Sequence, residues 1–372
     1  MASTEPTSTT GDRIKGAFFG ALVADALSLG SHYEYDAAVI KQAYGDMISE
    51  YMGPGEKMGG TTHGIGWGRR NYHPGQKKGD QTDYGEYNVL MLEYLAGRKG
   101  EAGQLNQPVV LQELIPVWKD RLSKNWGAWI CTQSKQALEM VSAGYPLRQL
   151  GGNSNAMGIR SAAALGAYDD EDVLAEASRA MLFTHRSSEA LDGAEFFARV
   201  AFKLVHSGQG GTSYSVLEAI EATGQQMSPW IQAQVLKGVS KFHEATDPAG
   251  ALSKEEYVND LAMTSMARLW DVGKTEPIKV GKASPTEGTM PSSIYMILKY
   301  EDDLELAAKA NAMVGGDNAS RGIAIGMVLG AKHGIQAIRD PKLRQGLNAW
   351  EHCESLLNKL PLLQEKQAKQ EL

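Results

Sequence analysis

The stretch MVGGDNASRGIAIGMVLGAKHG (residues 313–334) predicts a helix that packs closely against another part of the chain. Its glycines Gly322, Gly326 and Gly330 recur every four residues, so in a helix they form a stripe along one face. Each interior glycine costs roughly 1 kcal/mol of stability relative to alanine, and that cost needs an offsetting gain from packing. The stretch therefore predicts a close helix–helix contact.

A second stretch near the N-terminus carries the same kind of stripe. In GAFFGALVADAL, the residues Gly16, Gly20 and Ala24 are again four positions apart. Small residues at this spacing let another backbone approach, and tight core packing is enough to explain them. A second interpretation is that the two striped helices form the centre of a bundle and hold the acidic loops at their ends together.

Helical periodicity dominates the rest of the chain. Segments such as EYNVLMLEYLAG, VVLQELIPVWKDRL and AEFFARVAFKLVHS space their apolar residues at three and four, whereas alternating, strand-like runs are nearly absent. This pattern predicts an all-α fold. We expect a disordered polar tail over residues 1–11, a single all-α domain over residues 12–352, and a C-terminal helical tail over residues 353–372.

The composition bounds the function classes. The chain has 372 residues, of which 42% are hydrophobic and 22% charged, and its net charge of −7 leaves no basic footprint for nucleic acid. Cys131 and Cys353 are too few for a disulfide framework, which favours a reducing compartment. The N-terminus has no signal-peptide pattern, and no apolar run approaches the roughly 18 residues that span a bilayer. We expect a cytoplasmic protein with no nucleic-acid and no membrane partner.

Carboxylates stand at the start of two predicted helices. Asp317 precedes the later striped helix, with Asn318 or Ser320 available as its N-cap, and Asp80 and Asp83 precede the helix EYNVLMLEYL. The helix dipole alone can account for a carboxylate in such a place. Oxygen ligands gathered from two helix starts would also suit a hard cation such as Mg²⁺ or Mn²⁺. We expect Asp83 and Asp317 to lie across one cleft.

Other segments carry polar groups that could serve a site. SHYEYD places His32 and Glu34 after the first helix, where ordinary surface polarity is the alternative. The loop GGNSNAMGIR (residues 151–160) could offer backbone N–H groups to a phosphate, or could simply cap a helix. His185, in FTHRSSEAL, could equally be structural. The stretch TTHGIGWGRRNYHPGQKKGDQ mixes glycine, aromatic and basic residues. Its aromatic side chains could stack on the ring of a ligand and its basic side chains could neutralise a phosphate, or the stretch could be a solvated loop.

Taken in order, these segments resemble the ADP-ribosylglycohydrolase family over roughly residues 13–334. The resemblance rests on GALVADALSLGSHYE, TDYG before a helix, GGNSNAM, FTH, and a proline-led helix (MPSSIYMILKY) followed by GGDNAS. Its motifs are most similar to those of the branch that includes the J1-crystallins, which are lens proteins built on this fold. The resemblance implies an orthogonal α-helical bundle.

The resemblance also implies a metal site. In the family, two divalent ions in a central cleft hold a ribose of ADP-ribose and a water, and the glycosidic bond at C1 of that ribose is hydrolysed. Both metal-binding motifs have lost their second carboxylate here, to Tyr84 and to Ala319. Each loss removes an attraction of about 1–4 kcal/mol to a nearby charge, so we expect at most one Mg²⁺ or Mn²⁺ ion, or none. The ligands that the resemblance implies are Thr82, Asp83, Asp317 and Ser320.

The function implied is that of a hydrolase acting on a glycosidic or similar bond of a small ligand, such as a nucleoside or ribosyl compound. The alternative is a non-catalytic, crystallin-like structural protein or a ligand-binding pseudoenzyme. A third interpretation keeps the cleft but changes the substrate, with the Tyr84 hydroxyl in the emptied metal position. The oligomeric state is left open. The catalytic candidates are Glu34, Asp83, Asp317 and His32, and the substrate-binding candidates are Asp80, Gln81, Tyr84, Asn153, Ser154, Asn155, His185 and Asn318.

Overall fold

Helices make up most of the chain in the computed structural model, which confirms the all-α prediction. The structure describes residues 8–64, 67–98, 104–208, 212–246, 269–272, 276–279 and 284–364. The first seven helices are α1 (Thr10–Ser28), α2 (Ala37–Tyr44), α3 (Asp83–Ala96), α4 (Leu111–Lys124), α5 (Thr132–Ser142), α6 (Glu171–Met181) and α7 (Ser188–Val205). The later ones are α8 (Val216–Gln225), α9 (Pro229–Thr246), α10 (Thr286–Lys299), α11 (Leu304–Val314), α12 (Asn318–His333), α13 (Pro341–Gly346) and α14 (Trp350–Leu357).

Helix α1 begins at Thr10 because the residues before it form a capping box. The Thr9 hydroxyl accepts the N–H of Asp12 at 3.2 Å, and the Asp12 carboxylate accepts the N–H of Thr9 at 3.1 Å. Residues 1–7 of the expected polar tail lie outside the described residues, as do residues 365–372 of the expected C-terminal tail. The domain boundaries at residues 12 and 352 stay a prediction.

The two glycine stripes face each other between α1 and α12. A Cβ at Gly20 would overlap the carbonyl of Gly326, and a Cβ at Gly16 would overlap the carbonyl of Gly330. Further along, a Cβ at Gly322 would lie 3.1 Å from the carbonyl of Ala24. The order of these pairs shows that the two helices run antiparallel, and their backbones touch because no side chain separates them.

Helices α1 and α12 are both buried along nearly their whole length, so they form the centre of the bundle. Helices α7, α10 and α11 pack against α12, helix α3 packs beside α1, and α9 packs on α10. This arrangement places the start of α12 beside the end of α1 and brings the start of α3 to the same place. The tertiary fold therefore gathers the acidic helix starts at one end of the central pair.

Two short hairpins interrupt the helices. Strands β1 (Thr62–Gly64) and β2 (Gly68–Arg70) pair antiparallel in the connection between α2 and α3, and β3 (Leu269–Val272) pairs antiparallel with β4 (Glu276–Lys279). The first hairpin adds aromatic and basic residues beside the acidic end of the bundle. Across the described ranges, no helix combines the length and the hydrophobicity that a bilayer crossing requires.

Candidate active site

Asp25, in the last third of α1, fixes the start of α3. Its carboxylate accepts the Thr82 hydroxyl at 2.5 Å and the Thr82 N–H at 2.7 Å. The Gln81 amide, oriented so that its nitrogen donates, reaches Asp25 Oδ2 at 3.0 Å. Thr82 is also the N-cap, because its hydroxyl oxygen accepts the N–H of Tyr84 at 3.2 Å. Gln81 and Thr82 are buried and committed to these bonds, so they hold the turn that presents Asp83.

Two glycines just before α12 allow the backbone there to contact the loop that follows α1. Gly315 and Gly316 have φ angles of 73° and 68°, in the left-handed region that favours glycine. The N–H of Gly316 donates to the carbonyl of Glu34 at 2.6 Å, and a Cβ at Gly315 would overlap that same carbonyl. This close approach brings Asp317 against His32, and Asp317 itself is the N-cap of α12 in place of the expected Asn318 or Ser320.

Asp317 is fully buried and surrounded by donors. The Tyr84 hydroxyl donates to Asp317 Oδ2 at 2.8 Å, His32 Nε2 lies 3.5 Å from Oδ1, and the Ser320 N–H donates to Oδ1 at 3.4 Å. Burial raises the pKa of Asp317, but hydrogen bonds from His32 and Ser284 outweigh burial, and the pKa falls below its usual value. Burial also lowers the pKa of His32, so this ring is neutral and acts on Asp317 through an N–H. Asp317 is therefore the anion of the site.

Asp83, one residue into α3, has the opposite character. It is 5% exposed, and its Oδ1 has no hydrogen-bond partner in the described protein. Burial raises its pKa well above the usual value, and the nearby negative charges of Asp317 and Asp25 add to the effect. A carboxylate oxygen of Asp83 and one ring nitrogen each of His32 and His73 lie within 4.8 Å of one another. Asp83 is therefore a carboxyl group that keeps its proton to higher pH than an ordinary one, and it lies beside two imidazoles.

Asp83 and Tyr84 open onto a cavity of about 230 Å³. Its volume lies below the roughly 300–1,000 Å³ of sites for drug-sized ligands, so it suits a ligand the size of a single sugar ring or a small heterocycle. Aromatic rings form much of its wall, and the polar groups come from segments that are far apart in the sequence. Its lining is Tyr33, Trp67, Asp83, Tyr84, Tyr87, Trp129, Cys131, Thr132, Gln133, Ser154, Ala156, Met157, Gly158, Ile159, Arg160, His185 and Ser284.

A buried arginine forms the positive wall of the cavity. Arg160 is 4% exposed, and its guanidinium lies 3.6 Å from the centre of the Tyr87 ring, a cation–π contact. It donates to the Thr184 hydroxyl at 2.8 Å, and that hydroxyl lies 3.0 Å from His185 Nδ1. Burial, together with the charge of Arg160, lowers the pKa of His185 to about 3. The cavity therefore has one fixed cation and a neutral imidazole facing the acidic side chains.

Several sequence-predicted residues are engaged elsewhere. The Glu34 carboxylate accepts Arg69 Nη2 at 3.1 Å and the N–H of His63 at 3.2 Å, and it is not part of the cavity wall. Asp80 accepts the side-chain amide of Asn348 at 2.8 Å at the outer surface.

The second motif and the glycine–asparagine loop are only partly at the cavity. The side-chain nitrogen of Asn318 donates to the Ser31 hydroxyl at 2.9 Å, away from the cavity. In the loop, Ser154 lines the cavity, Asn153 is exposed, and Asn155 uses its carbonyl to accept the Thr286 hydroxyl at 2.6 Å. The structure thus brings together Asp83, Tyr84, Ser154 and His185 on the cavity wall, with His32 and Asp317 in contact behind them.

Sequence reasoning missed important residues. Asp25 stands inside the quoted segment LVADAL, and a charged residue within an otherwise apolar helix was the available signal; burial raises its pKa to about 7. His73 and Trp129 belong to loops whose spacing carries no helical or strand period. Arg160 follows the glycine–asparagine loop, where a lone arginine looks like a surface residue.

The sequence profile described as ADP-ribosylglycohydrolase matches residues 6–371, nearly the whole chain. This chain belongs to the ADP-ribosylglycohydrolase family. A solved structure described as an ADP-ribosylglycohydrolase-related protein complex has 19% identity and a TM-score of 0.61, over 95% of this chain and 98% of that one. At this identity the likeness shows the fold, and it confirms the bundle that the resemblance implied. No curated protein matches the sequence significantly, and the J1-crystallin branch stays a prediction.

The oxygen atoms that this chain offers at the expected metal site do not fit a centre with two ions. The Tyr84 hydroxyl already occupies Asp317 Oδ2, and buried Ala319 offers no oxygen where a second carboxylate would be needed. The Thr82 hydroxyl donates to Asp25, and the Ser320 hydroxyl donates to the carbonyl of Asp317 at 3.0 Å. Two facing cations need carboxylate charge to offset their mutual repulsion, and the described residues of this site supply a single low-pKa carboxylate.

Proposed function

We propose that the protein is a hydrolase that cleaves a glycosidic or similar bond of a small ligand bound in the 230 Å³ cavity. The observation that carries this proposal is the contrast between two adjoining acids, Asp83 with a raised pKa and Asp317 with a lowered pKa. Pairs of carboxyl groups whose environments separate their pKa values divide acid and base roles in hydrolases. A protein that only fills space has no need of a buried neutral acid on a cavity wall.

The side chains support a small polar ligand that carries a ring. Neutral Asp83 can donate a hydrogen bond to a ligand oxygen, and the neighbouring Tyr84 hydroxyl is polarised by the Asp317 carboxylate at 2.8 Å. Arg160 can neutralise an anionic group or a developing negative charge, and Tyr33 and Trp129 offer aromatic faces. A nucleoside fragment or a ribosyl compound fits this chemistry, whereas the whole of ADP-ribose exceeds the cavity.

The metal requirement of the proposed reaction is at most one Mg²⁺ or Mn²⁺ ion, and none is needed for the roles given above. We place the reaction in the cytoplasm, since Cys131 and Cys353 are both free thiols in the structure. Its partner is a small molecule, and oligomerisation does not enter the argument.

The proposal is tested by incubating the purified protein with nucleosides, ADP-ribose and aryl ribosides, with and without added metal, and by following product release chromatographically. We expect one class to be hydrolysed, and Asp83→Asn to lower kcat at least about a hundredfold, as is usual for loss of an acid–base group. Asp46→Asn, whose side chain is 97% exposed, is the matched control and should retain wild-type rates.

The second candidate is a ligand-binding pseudoenzyme or crystallin-like protein. The observation that favours it is the Tyr84–Asp317 hydrogen bond, which closes the position where the family has an ion. Under this candidate, ligands of the same classes raise the melting temperature without being turned over. Binding with no product over days would therefore replace the hydrolase proposal, and absence of both would favour the structural role.

A further inference from the structure

Three buried polar groups converge behind the cavity wall without partners in the described protein. His32 and His73 are each 1% exposed and Asp83 is 5% exposed. His32 Nδ1, His73 Nε2 and Asp83 Oδ1 have no hydrogen-bond partner in the described protein. Because buried polar groups are nearly always paired, unpaired side chains whose ligand atoms lie within 4.8 Å of one another indicate a bound species between them.

The tautomer of His73 is set by the backbone. The N–H of Trp129 donates to His73 Nδ1 at 3.1 Å, so this nitrogen keeps its lone pair. A neutral imidazole carries one proton, which must then sit on Nε2. His73 therefore presents an N–H donor to the cluster, and a nitrogen that bears a proton cannot be a metal ligand.

The tautomer of His32 is set by Asp317. Its Nε2 lies 3.5 Å from Asp317 Oδ1, and an ionised carboxylate only accepts. The proton of His32 therefore lies on Nε2, which leaves the lone pair on Nδ1. Asp83 Oδ1 has no hydrogen-bond partner in the described protein and supplies a second acceptor. The cluster thus offers one donor and two acceptors.

The spacing of the cluster is compatible with one hydrogen-bonded oxygen. The three side chains each have one ligand atom within 4.8 Å of the other two, so there is a point no more than about 2.8 Å from each of these atoms, which is within hydrogen-bond reach. The proton on His73 Nε2 is the observation that argues against a cation, because it occupies the lone pair that a metal would need.

We propose that His32, His73 and Asp83 hold one water molecule, in place of a metal ion, at the back of the cavity. The water accepts the His73 Nε2–H and donates its two protons to His32 Nδ1 and Asp83 Oδ1. Three hydrogen bonds are the usual number for a buried water. One lone pair of its oxygen stays uncommitted.

The catalytic role of this water rests on the proposed hydrolase function. Its oxygen forms the bond to the glycosidic carbon while the bond from that carbon to the leaving oxygen or nitrogen breaks. His32 takes one water proton at Nδ1, Asp317 stabilises the resulting imidazolium, and Asp83 gives its own proton to the leaving group and regains one from the imidazolium afterwards. The second water proton remains on the product hydroxyl, so the step consumes only water and the bond that is cleaved.

The first experiment reads the tautomers. Selective ¹⁵N-histidine labelling and long-range ¹H–¹⁵N correlation spectra distinguish Nδ1–H from Nε2–H directly, with His32→Gln and His73→Gln used to assign the signals. We expect both rings to be neutral Nε2–H tautomers. An Nδ1–H tautomer at His73 would free Nε2 for a metal and would overturn the proposal.

The second experiment reads the bound species. Crystals grown in ethylenediaminetetraacetate, and others soaked in 1 mM ZnCl₂ or MnCl₂, should show the same peak about 2.6–3.2 Å from the three atoms, without anomalous signal. An anomalous peak at about 2.0–2.3 Å would make the cluster a metal site. Direct contact between the side chains, with no density between them, would equally refute a bound water. Because neither experiment measures turnover, a failed water leaves the hydrolase proposal standing, and an inactive protein leaves the water testable.

Zinc binding in solution provides an independent check. We expect ZnCl₂ to leave the melting temperature of wild type unchanged, and His73→Phe to behave in the same way. His352→Phe removes an exposed imidazole, 55% accessible, and controls for zinc held at the surface. A stabilisation by zinc that His73→Phe abolishes and His352→Phe keeps would contradict the proposal.

Discussion

The start of α3 and the start of α12 place the same group in the same local setting. Asp83 and Asp317 are both buried carboxyl groups at a helix N-terminus, where the dipole favours negative charge. Their pKa values nevertheless move in opposite directions, up for Asp83 and down for Asp317. A helix terminus, whose effect is typically below about 1 kcal/mol, does not decide the charge of a fully buried acid.

The pKa values of Asp83 and Asp317 differ because the two carboxyl groups have different hydrogen-bond donors around them. Asp317 has the Tyr84 hydroxyl, the Ser320 N–H and the His32 ring around it, whereas Asp83 Oδ1 has no partner and faces the negative charge of Asp317. Once one of two adjoining acids is stabilised as an anion, its charge helps to keep the other neutral. The protonation of Asp83 is therefore coupled to the negative charge of Asp317, although the two residues belong to different helices.

The largest expected effect comes from separating the two starts. In Gly326→Ala the new Cβ would overlap the carbonyl of Gly20, and α1 and α12 would have to move apart. We expect a loss of about 3 kcal/mol in the free energy of unfolding, measured by urea denaturation. Gly224→Ala is the matched control, because its Cβ would meet the side chain of Val235, at 3.1 Å and beyond, and no backbone atom within 4 Å is among its nearest contacts. Equal stabilities for the two variants would contradict the backbone contact between the stripes.

The next largest effect is expected when a second carboxylate is added at the start of α3 and at the start of α12. Tyr84→Asp combined with Ala319→Asp adds two carboxylates, so like charges should make the metal-free double variant less stable than wild type. Mg²⁺ or Mn²⁺ should bind more tightly and restore about 2.7 kcal/mol at a hundredfold excess over Kd. Calorimetric titration and melting curves measure both effects. Tyr145→Asp, at a residue 52% exposed, controls for added charge. No gain in metal affinity would mean that the two motifs do not face one another.

A smaller effect should follow from removing one donor. In Tyr84→Phe the Asp317 carboxylate loses its 2.8 Å hydrogen bond but keeps its burial. A hydrogen bond to a charged group contributes about 1.5–3 kcal/mol, so we expect a loss of about 2 kcal/mol near pH 7 and a higher pKa for Asp317. Tyr145→Phe, at the exposed tyrosine, should cost nothing measurable. If Tyr84→Phe unfolds at the wild-type urea midpoint, the bond does not stabilise the anion.

The smallest effect is a difference in pH dependence. The folded pKa of Asp83 lies above the unfolded value of about 3.9, so the folded state holds an extra proton above that pH and loses stability as pH rises. Asp83→Asn removes that loss and should gain on wild type from pH 4 upward. The folded pKa of Asp317 is lowered, so its stabilisation is present above about pH 3.9 and disappears as pH falls through the folded value. Asp317→Asn should therefore fall furthest below wild type at neutral pH, and parallel unfolding curves for the two variants would refute the contrast.

Much of the fold could be predicted from local pattern. The periods of three and four in segments such as residues 85–97 predicted helices, and the stripes of Gly16, Gly20, Gly326 and Gly330 predicted the central contact. These features follow from helix geometry and depend on a few neighbouring residues. That the two stripes pack on each other was one of two interpretations, tight core packing elsewhere being the other, and the structure decided between them.

Less of the site could be predicted. Asp83, Tyr84, Ser154 and His185 reach the cavity as the motifs suggested, whereas Glu34 turns to Arg69. His73 lies in an irregular loop and reaches His32 only because the chain folds back across 40 intervening residues. The local sequence pattern gives no sign of this contact between the two histidines, so neither the contact nor its chemistry could be predicted from the sequence.

The sequence by itself determined the helices and the two stripes of small residues, because these depend on residues within a turn or two of each other. Only the tertiary structure decided that the stripes pack on each other, that the pKa of Asp83 is raised while that of Asp317 is lowered, and that the Tyr84 hydroxyl donates to Asp317. Those properties depend on burial and on charges brought together from distant parts of the chain. A carboxyl group takes its pKa from the donors and charges that surround it in space.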